Sequence, residues 1–204
     1  MIAIVDYGVG NLFSLRSSFA AIGEEAVVTG EESVLRAADK IILPGVGAFG
    51  DAANKLRGTG LADVVCSLAS EGKPLLGICL GMQLLFDESH EFGVHKGLGL
   101  IEGKVKPLLG VIPSELKIPH IGWNALSFVK DSPLLKNIKE GDHVYFVHSF
   151  YATECDDSVV ATAEYGTPIP AIVQKNNVYG CQFHPEKSGK VGLDILRAFC
   201  SLEG

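Results

Sequence analysis

The 204-residue sequence predicts a three-layer α/β/α fold, with a mostly parallel central sheet to which antiparallel strands are added. In the first half, short apolar runs alternate with segments whose apolar residues recur at helical spacing. This alternation is typical of a parallel sheet covered by helices. In the second half, short strand-like runs follow one another with few helices. No linker, repeat or low-complexity segment interrupts the chain, so we expect one domain over residues 1–204.

The first half is predicted to contain four strands with helices between them. Ile2–Val5 is an apolar run that ends at Asp6 and Gly8, and it predicts a buried strand. Residues 11–22 carry apolar side chains at helical spacing and stop at Gly23, which is typical of a helix end. The other predicted elements are strands 26–28, Lys40–Leu43 and 74–78, and helices 31–38, Leu61–Ser70 and 80–86.

The second half is predicted to add antiparallel strands to the same sheet rather than to form a separate domain. From Ile101 onward the apolar runs are short, and few segments have helical spacing. The predicted strands are 104–108, 125–129, 143–147, 159–163, 171–174 and 178–183. A last helix is predicted over residues 191–202.

Composition and charge exclude several classes of protein. The formal net charge is −7, whereas a protein that follows nucleic-acid phosphates usually carries a positive balance. The longest stretch without a charged residue, 74–86, is too short to span a bilayer, and the amino terminus meets Asp6 at once, unlike a signal peptide. The five cysteines form no CxxC pair, which argues against a zinc site and favours a reducing cytoplasm. We therefore expect a cytoplasmic protein that binds neither nucleic acid, membrane nor metal.

The stretch GICLGMQ, residues 77–83, places a cysteine between two glycines where a predicted strand ends and a helix begins. The pattern Gly77-x-Cys79-x-Gly81 matches the nucleophile elbow, with cysteine in place of serine. The flanking residues must be small because larger side chains would collide with the packed strand and helix. The N–H groups at the helix start favour a thiolate, and the amide of Leu80 can help to hold an oxyanion. Cys79 is the predicted nucleophile.

The stretch QFHPE, residues 182–186, supplies the base that a nucleophilic cysteine needs and a group that orients the base. The predicted strand 178–183 brings His184 to a strand end, and Pro185 favours extended geometry at His184. Positions i and i+2 of an extended chain point the same way, so Glu186 starts close enough to orient the imidazole. The other five histidines lack a carboxylate in this arrangement.

A third stretch, PGVG at residues 44–47, directly follows the predicted strand Lys40–Leu43. Ligands of an open parallel sheet bind at the carboxyl ends of its strands, so this turn is expected beside Cys79. Its glycines permit peptide orientations that other residues resist, and one amide of Val46 or Gly47 can point at an oxyanion. Each stretch alone has an ordinary structural explanation: a buried cysteine for 77–83, a surface turn for 182–186 and a strand exit for 44–47. The functional prediction rests on their convergence.

Together these stretches resemble the class I, triad-type glutamine amidotransferases. GICLGMQ is similar to the nucleophile motif of that family, and FHPEKS is similar to its His-x-Glu motif. The resemblance covers essentially the whole chain. The resemblance implies a flavodoxin-like fold and a glutaminase that needs no metal or organic cofactor. It further implies that Cys79 attacks the side-chain amide of glutamine, that His184 takes the thiol proton and gives one to ammonia, and that Glu186 orients His184.

Four finer stretches are similar to the glutaminase-subunit family of imidazole glycerol phosphate synthase, an enzyme of histidine biosynthesis. They are the start at 6–11, PGVGAFGD at 44–51, PHIGWN at 119–124 and HSFY at 148–151. We expect no fused synthase domain after Gly204, and the resemblance therefore implies a separate (β/α)₈-barrel cyclase subunit in a heterodimer. The cyclase would join the ammonia to a phosphoribosyl intermediate, giving imidazole glycerol phosphate and an aminoimidazole carboxamide ribonucleotide.

The resemblance also implies roles for residues outside the triad. Gln83 follows Cys79 by one helical turn, faces the same pocket and contacts the bound glutamine. Glu91 is expected to hold the ammonium group of glutamine and Ser149 its carboxylate. The residues expected at the rim that faces the cyclase are Asn11, Trp123, Asn124 and Lys187.

Three alternatives remain open from the sequence. A different class I amidotransferase, such as an anthranilate synthase glutaminase subunit, is opposed by PGVG, PHIGWN and the start at 6–11. A stand-alone cysteine hydrolase or peptidase is opposed by the pairing of Gln83 with the His-Pro-Glu stretch. A non-enzymatic scaffold is opposed by the intact set of cysteine, histidine and glutamate.

Overall fold

The computed structural model describes residues 1–202. The strands in chain order are β1 (Ile2–Val5), β2 (Ala26–Thr29), β3 (Lys40–Leu43), β4 (Leu75–Ile78), β5 (Glu88–Ser89), β6 (His95–Lys96), β7 (Lys104–Pro107), β8 (His120–Phe128), β9 (His143–His148), β10 (Phe150–Thr153), β11 (Val159–Glu164), β12 (Pro168–Lys175) and β13 (Val178–Cys181). The α-helices are α1 (Leu12–Ala21), α2 (Glu32–Ala37), α3 (Phe49–Gly58), α4 (Leu61–Ser70), α5 (Leu80–Leu84) and α6 (Gly189–Cys200).

Nine of these strands form one sheet in the order β2-β1-β3-β4-β13-β12-β11-β8-β9. The first five are parallel, and the remaining four continue the sheet in antiparallel pairs. The carboxyl ends of β3, β4 and β13 therefore lie side by side at one edge of the sheet. This edge is where an open parallel sheet binds its ligands.

Helices cover both faces of the parallel half, which explains why its strands are continuous apolar runs. Every residue of β1, β4 and β13 is buried. On one face α3 and α4 pack their apolar side chains against the sheet, and on the other α1 and α6 do so. A strand covered on both faces exposes no side to water, so alternation of polar and apolar residues is lost. The predicted three-layer arrangement is the one observed.

Most predicted elements lie where the sequence places them, and three, Ile2–Val5, Lys40–Leu43 and Leu61–Ser70, agree to the residue. One prediction about the second half is wrong. Strand 104–108 does not join the main sheet, because β7 pairs with β10 and β5 in a separate four-stranded sheet of order β10-β7-β5-β6. Helix α3 and strand β10 are present although no pattern predicted them. None of the helices within residues 1–202 is long and apolar enough to cross a membrane.

Candidate active site

Cys79 lies on a sharp turn between β4 and α5, in a backbone conformation that residues other than glycine seldom adopt. Its φ and ψ are 53° and −111°, and such strain is typical of functional positions. The amide of Cys79 donates to the carbonyl of Cys181 at the end of neighbouring β13, 2.8 Å away. This bond holds the turn against the sheet, with the thiol at its carboxyl edge.

The glycines two positions either side of Cys79 are required by close backbone packing. A Cβ added to Gly77 would lie 2.7 Å from the carbonyl oxygen of Gly81. A Cβ added to Gly81 would lie 1.9 Å from the carbonyl oxygen of Leu43, at the end of β3. The steric explanation of the glycine pair is therefore confirmed. The turn can be this tight only because the helix backbone rests directly on two neighbouring strand ends.

We expect Gly81→Ala to destabilise the fold strongly, because the methyl group collides with the backbone of a central strand. The predicted loss is roughly 3 kcal/mol or more in the free energy of unfolding, the upper range for overpacking. Urea unfolding followed by circular dichroism measures this loss. Gly58→Ala at the end of α3 is the matched control, because a Cβ there meets nothing within 4 Å. If the two variants were equally stable, the steric account of the elbow would be wrong.

His184 and Glu186 form a buried pair beside Cys79. Their side chains are 3% and 1% exposed, and Nδ1 of His184 lies 2.8 Å from Oε1 of Glu186. Burial lowers the pKa of His184, but interactions with the Cys79 thiol and with the Glu186 carboxylate outweigh it and raise the pKa to about 9. The raised pKa favours the positively charged imidazolium. This is the charge that a thiolate on Cys79 needs beside it.

Hydrogen bonds to β9 and to Ser188, the residue directly before α6, fix the backbone around His184. The amide of His184 donates to the carbonyl of Tyr145 at 3.0 Å. The hydroxyl of Ser188 donates to the His184 carbonyl at 2.7 Å and accepts from the Tyr145 amide at 2.9 Å. Glu186 lies in the 3₁₀ turn Pro185–Lys187 between these anchors. The spacing His-x-Glu thus holds its geometry through local hydrogen bonds.

Residues 44–47 pack directly against the start of α5. A Cβ on Gly45 would lie 2.6 Å from the Gly81 amide and 2.9 Å from Cβ of Leu80, so the two backbones are in contact. Gly47 has φ of +92°, a left-handed conformation that favours glycine. Val46 and Gly47 line the same cavity as Leu80. The structure thus brings together the three residues that were predicted to supply oxyanion amides.

A cavity of about 560 Å³ opens at this edge, and Cys79, His184 and the three predicted glutamine-binding residues line it. Gln83 is buried, and its amide nitrogen donates to the carbonyl of Phe150 at 3.0 Å. Glu91 is also buried, and its Oε2 accepts from the amide of Phe49 at 2.7 Å, so one oxygen serves the fold and Oε1 is left for a ligand. Ser149 lies at the break between β9 and β10.

Gln182 and His148 belong to the site although no motif assigned them a role. The buried amide of Gln182 donates to Sγ of Cys79 at 3.8 Å and accepts from the amide of Gln83 at 2.9 Å. An N–H that points at sulfur favours negative charge there. His148 lines the cavity beside Ser149. The sequence signal that could have identified Gln182 is a polar residue in an apolar strand run. It lies two positions before His184, so the two side chains start on the same side of the strand.

The four residues predicted at the rim occupy different environments. Trp123 is 53% exposed on β8, opposite Tyr145 of β9, and Nζ of Lys187 lies 6.0 Å from the centroid of the Tyr145 ring. These three side chains form a row, and Lys187 at its end lines the cavity. Asn11 precedes α1 and is partly exposed. Asn124 is half-buried, and both polar atoms of its amide are bonded within the chain.

The other four cysteines are poor candidates for nucleophiles. Burial raises the pKa of each thiol. The pKa is about 11 for Cys155 and about 12 for Cys200, it lies well above the ordinary thiol value for Cys181, and it is also raised for Cys66. A raised thiol pKa leaves little thiolate at neutral pH. Within residues 1–202, no group of three or more histidine, cysteine or acidic side chains is arranged to hold a metal ion.

A thiol on a strained strand–helix elbow, served by a histidine and a carboxylate, defines the class of cysteine-dependent acyl-transfer enzymes with an α/β fold. A family model described as glutamine amidotransferase class-I matches residues 3–201. The chain is 52% identical over 205 residues to imidazole glycerol phosphate synthase subunit HisH of Geobacillus sp. (strain WCH70), covering 99% of this chain and 97% of that protein. Its identity to HisH of Lactococcus lactis subsp. lactis (strain IL1403) is 49% over 199 residues, covering 97% and 96%.

Solved structures of low sequence identity share the fold. A crystal structure of glutamine amidotransferase superposes with a TM-score of 0.76 at 20% identity, covering 98% of this chain and 97% of that chain. The structure of PurLQS from Thermotoga maritima gives 0.75 at 23% identity, covering 98% and 96%. The predicted flavodoxin-like α/β fold is confirmed by these likenesses.

The chain belongs to the class-I glutamine amidotransferase family and, within it, to the family of HisH subunits of imidazole glycerol phosphate synthase. The predicted enzyme, a glutamine amidotransferase subunit of that synthase in histidine biosynthesis, is confirmed by this membership.

Proposed function

We propose that the chain hydrolyses glutamine to glutamate and ammonia through Cys79, His184 and Glu186, and that it passes the ammonia to a cyclase subunit. The observation that carries this proposal is the buried His184 imidazole, which is hydrogen bonded to the Glu186 carboxylate at 2.8 Å and lines the same cavity as Cys79. A nucleophile, a base and an orienting group in this order are the minimum set for acyl transfer to water.

The reaction follows from the roles of these groups. The Cys79 thiolate attacks the side-chain carbonyl carbon of glutamine, and the carbonyl oxygen takes up the negative charge. We assign the amides of Leu80 and of the Val46–Gly47 segment, which line the cavity with Cys79, to that charge, because such donors stabilise the tetrahedral intermediate. His184 then gives its proton to the departing nitrogen, ammonia leaves and a thioester remains. Water, deprotonated by His184, attacks the thioester, glutamate is released, and the Cys79 thiolate and His184 imidazolium are restored.

Binding of the substrate uses the polar groups that line the cavity. Oε1 of Glu91 is available for the ammonium group of glutamine, since Oε2 is bonded to the Phe49 amide. Ser149 offers a hydroxyl and a backbone amide to the carboxylate at the cavity mouth. Gln83 lies between these groups and Cys79, where it contacts the aliphatic and amide portions of the substrate.

Transfer of ammonia requires a partner over the cavity, because ammonia released into water near neutral pH is mostly protonated and no longer nucleophilic. The cavity mouth carries exposed apolar side chains, and such patches mark interaction sites. They are Val46, Phe92, Leu109 and Ile118. We propose that a (β/α)₈-barrel cyclase subunit covers this patch together with Asn11, Trp123, Asn124 and Lys187, in the cytoplasm, and that residues 1–204 act as one domain.

A coupled assay tests the proposed function. The purified chain, mixed with a cyclase subunit and its nucleotide substrate, should release glutamate from glutamine and form imidazole glycerol phosphate in equal amounts. The same complex should leave unstructured peptides and simple thiol-protease ester substrates intact. Peptide hydrolysis without glutamate release would favour a cysteine peptidase, and no turnover of either substrate would overturn the enzyme assignment.

We expect Trp123→Ala to weaken docking of the cyclase, because exposed tryptophans at the centre of an interface commonly act as anchors. The expected loss is ~2 kcal/mol, or about 30-fold in Kd. Isothermal titration of the two subunits measures it. Val129→Ala is the matched control, since Val129 is 57% exposed just beyond the far end of β8 and does not line the cavity. An unchanged Kd for Trp123→Ala would remove Trp123 from the interface.

A further inference from the structure

A continuous chain of side-chain hydrogen bonds starts at the nucleophile and crosses the glutamine pocket. The Gln182 amide joins Sγ of Cys79 to Gln83, and the Gln83 amide donates in turn to the carbonyl of Phe150 at 3.0 Å. The same carbonyl lies 2.8 Å from Nδ1 of His148. Phe150 thus has one oxygen shared by the substrate-side glutamine and by a histidine that the proposed reaction does not use.

The chain continues from the pocket to the rim through β8. Nε2 of His148 lies 3.0 Å from Nδ1 of His120, and these residues are register partners on β9 and β8. Nε2 of His120 lies 2.8 Å from Oδ1 of Asn124, whose Nδ2 donates to the carbonyl of Glu164 at 3.0 Å. Asn124 is next to Trp123, so the chain ends beside the row of rim residues.

Counting protons shows that this part of the hydrogen-bond chain has one proton too few for its bonds. Four hydrogen bonds join the Phe150 carbonyl to the Glu164 carbonyl through His148, His120 and Asn124. Two neutral imidazoles and one amide supply three protons to these four bonds. If the Asn124 amide is rotated by half a turn, its oxygen faces the Glu164 carbonyl, and that bond is then the one without a proton. All four bonds form together only if the two imidazoles share one positive charge.

Burial opposes that charge at neutral pH. His120 is stacked between Phe146 and Tyr165, with ring centroids 4.9 Å and 3.8 Å away, and burial lowers its pKa. Burial also lowers the pKa of His148 to about 4, although its bond to the Phe150 carbonyl acts in the opposite direction. The neutral pair therefore leaves one bond unmade. Two tautomer pairs keep the central bond between His148 and His120. With both protons on Nδ1 the missing bond is the one to Asn124, and with both protons on Nε2 it is the one to Phe150.

We propose that His120, His148 and Asn124 are positioning residues for the glutamine pocket, and that the location of the missing hydrogen bond couples the rim to the pocket. When the gap lies at the rim, Nδ1 of His148 carries a proton and holds the Phe150 carbonyl. When it lies at the pocket, that carbonyl loses this donor and the strand break at Ser149 is less firmly held. A docked partner that donates to the freed Asn124 oxygen stabilises the first state. This proposal rests on the proposed function, because it takes the pocket to bind glutamine.

Ionisable groups around the pair favour the neutral state on which the proposal depends. His184, on the chain that follows β13, repels a proton on His148, and His120 does the same from β8. Tyr165, between β11 and β12, stacks on His120 and donates its hydroxyl to the Lys117 carbonyl. Beyond His184 lie Glu186, Cys79 on the elbow, and Lys187, which lines the same cavity.

Imidazole ¹⁵N NMR of the free chain and of its complex with the cyclase tests the tautomers directly. We expect both His120 and His148 to carry the proton on Nδ1 in the complex, and a mixture of the two tautomer pairs in the free chain. Asn124→Asp should shift titration of the pair to higher pH, because a carboxylate at the rim favours the shared positive charge. Identical tautomers in the free and bound chain would overturn the coupling.

Kinetics of the complex tests the positioning role. His120→Gln should raise the KM for glutamine about two- to tenfold, the range of one lost hydrogen bond, with a smaller change in kcat. Asn124→Asp should raise KM as well while the pair is neutral, because a carboxylate that accepts from Nε2 of His120 favours the state with the gap at Phe150. Asn124→Ala removes that acceptor and should not raise KM, a contrast that a residue that only fills space would not give. His143→Gln is the control, since His143 is exposed on the same strand β9. Equal KM values for His120→Gln, Asn124→Asp and His143→Gln would overturn the proposal.

The wild-type complex separates this proposal from the proposed function. If it releases glutamate and the His120 variant matches the His143 control, the pocket binds glutamine but the histidine pair does not position it. If the wild-type complex releases no glutamate, the proposed function fails, and the NMR tautomers of His120 and His148 still decide whether the two-state chain exists.

Discussion

Cys79→Ala should abolish glutamine hydrolysis while the complex with the cyclase still uses added ammonium salts. The reason is that the thiol is the only group at the elbow able to form the thioester, whereas the synthase chemistry belongs to the proposed partner. We expect a loss in kcat on the order of 10⁴-fold or more, as for removal of one member of a serine-protease triad. Glutamate release from glutamine and cyclase turnover with ammonium chloride are measured on the same complex.

The matched control for this variant is Cys66→Ala, which removes a half-buried thiol from α4 that does not line the cavity. A glutamine analogue with an electrophilic side chain should label the wild-type protein once, at Cys79, and should still label Cys66→Ala. Near-normal glutamine hydrolysis by Cys79→Ala would show that the nucleophile lies elsewhere. Loss of the ammonium-dependent reaction as well would instead indicate a damaged complex.

His184→Ala should cost nearly as much as loss of the thiol, and Glu186→Gln should cost less. His184 exchanges protons with both the sulfur and the leaving nitrogen, whereas Glu186 acts only through His184. We expect on the order of 10⁴-fold or more for His184→Ala and about 10- to 100-fold less for Glu186→Gln. Single-turnover thioester formation, with thermal unfolding to confirm that both variants fold, measures the difference. Equal or reversed losses would contradict these roles.

The pH dependence of the same reaction gives an independent check. The pKa of His184 is raised from 6.5 to about 9, so the imidazolium that protonates ammonia is present below that pH. Turnover should therefore fall as the pH rises through about 9. The stabilisation of the folded chain by the His184–Glu186 pair should be complete below about pH 6.5 and should also be lost as the pH rises through about 9. Glu186→Gln removes one cause of the raised pKa and should move the basic limb to lower pH.

Local chemistry made several parts of the molecule predictable. β3 and α4 agree with the sequence pattern to the residue because each is a short apolar or amphipathic run between clear turn signals. The elbow at Cys79 was predictable because its motif is complete within five residues, although the clash that requires Gly81 is with Leu43 on a neighbouring strand. The His184–Glu186 geometry was predictable for the same reason, since two positions of extended chain and one proline set it.

Other features depend on contacts between distant parts of the chain. Strand 104–108 has the pattern of any half-buried strand, and only its pairing with β10 places it in the second sheet. Helix α3 begins with an amide held by Glu91, a residue 42 positions away from Phe49. Gln182 meets Cys79 across a separation of 103 positions. No local pattern specifies such partners, because side-chain periodicity reports which face is buried and not which neighbour covers it.

The sequence by itself determined the layered α/β class, the prediction of Cys79, His184 and Glu186 as nucleophile, base and carboxylate, and the expectation that their strand ends converge. These follow from the periodicity of apolar residues and from short-range sterics, which act within a few positions of the chain. The tertiary structure alone decided which strands are neighbours, which oxygen of Glu91 is left for a ligand, and that His148, His120 and Asn124 link the pocket to the rim. Those features are set by hydrogen-bond geometry across the sheet, where the partner of each polar atom is chosen only when the strands have assembled.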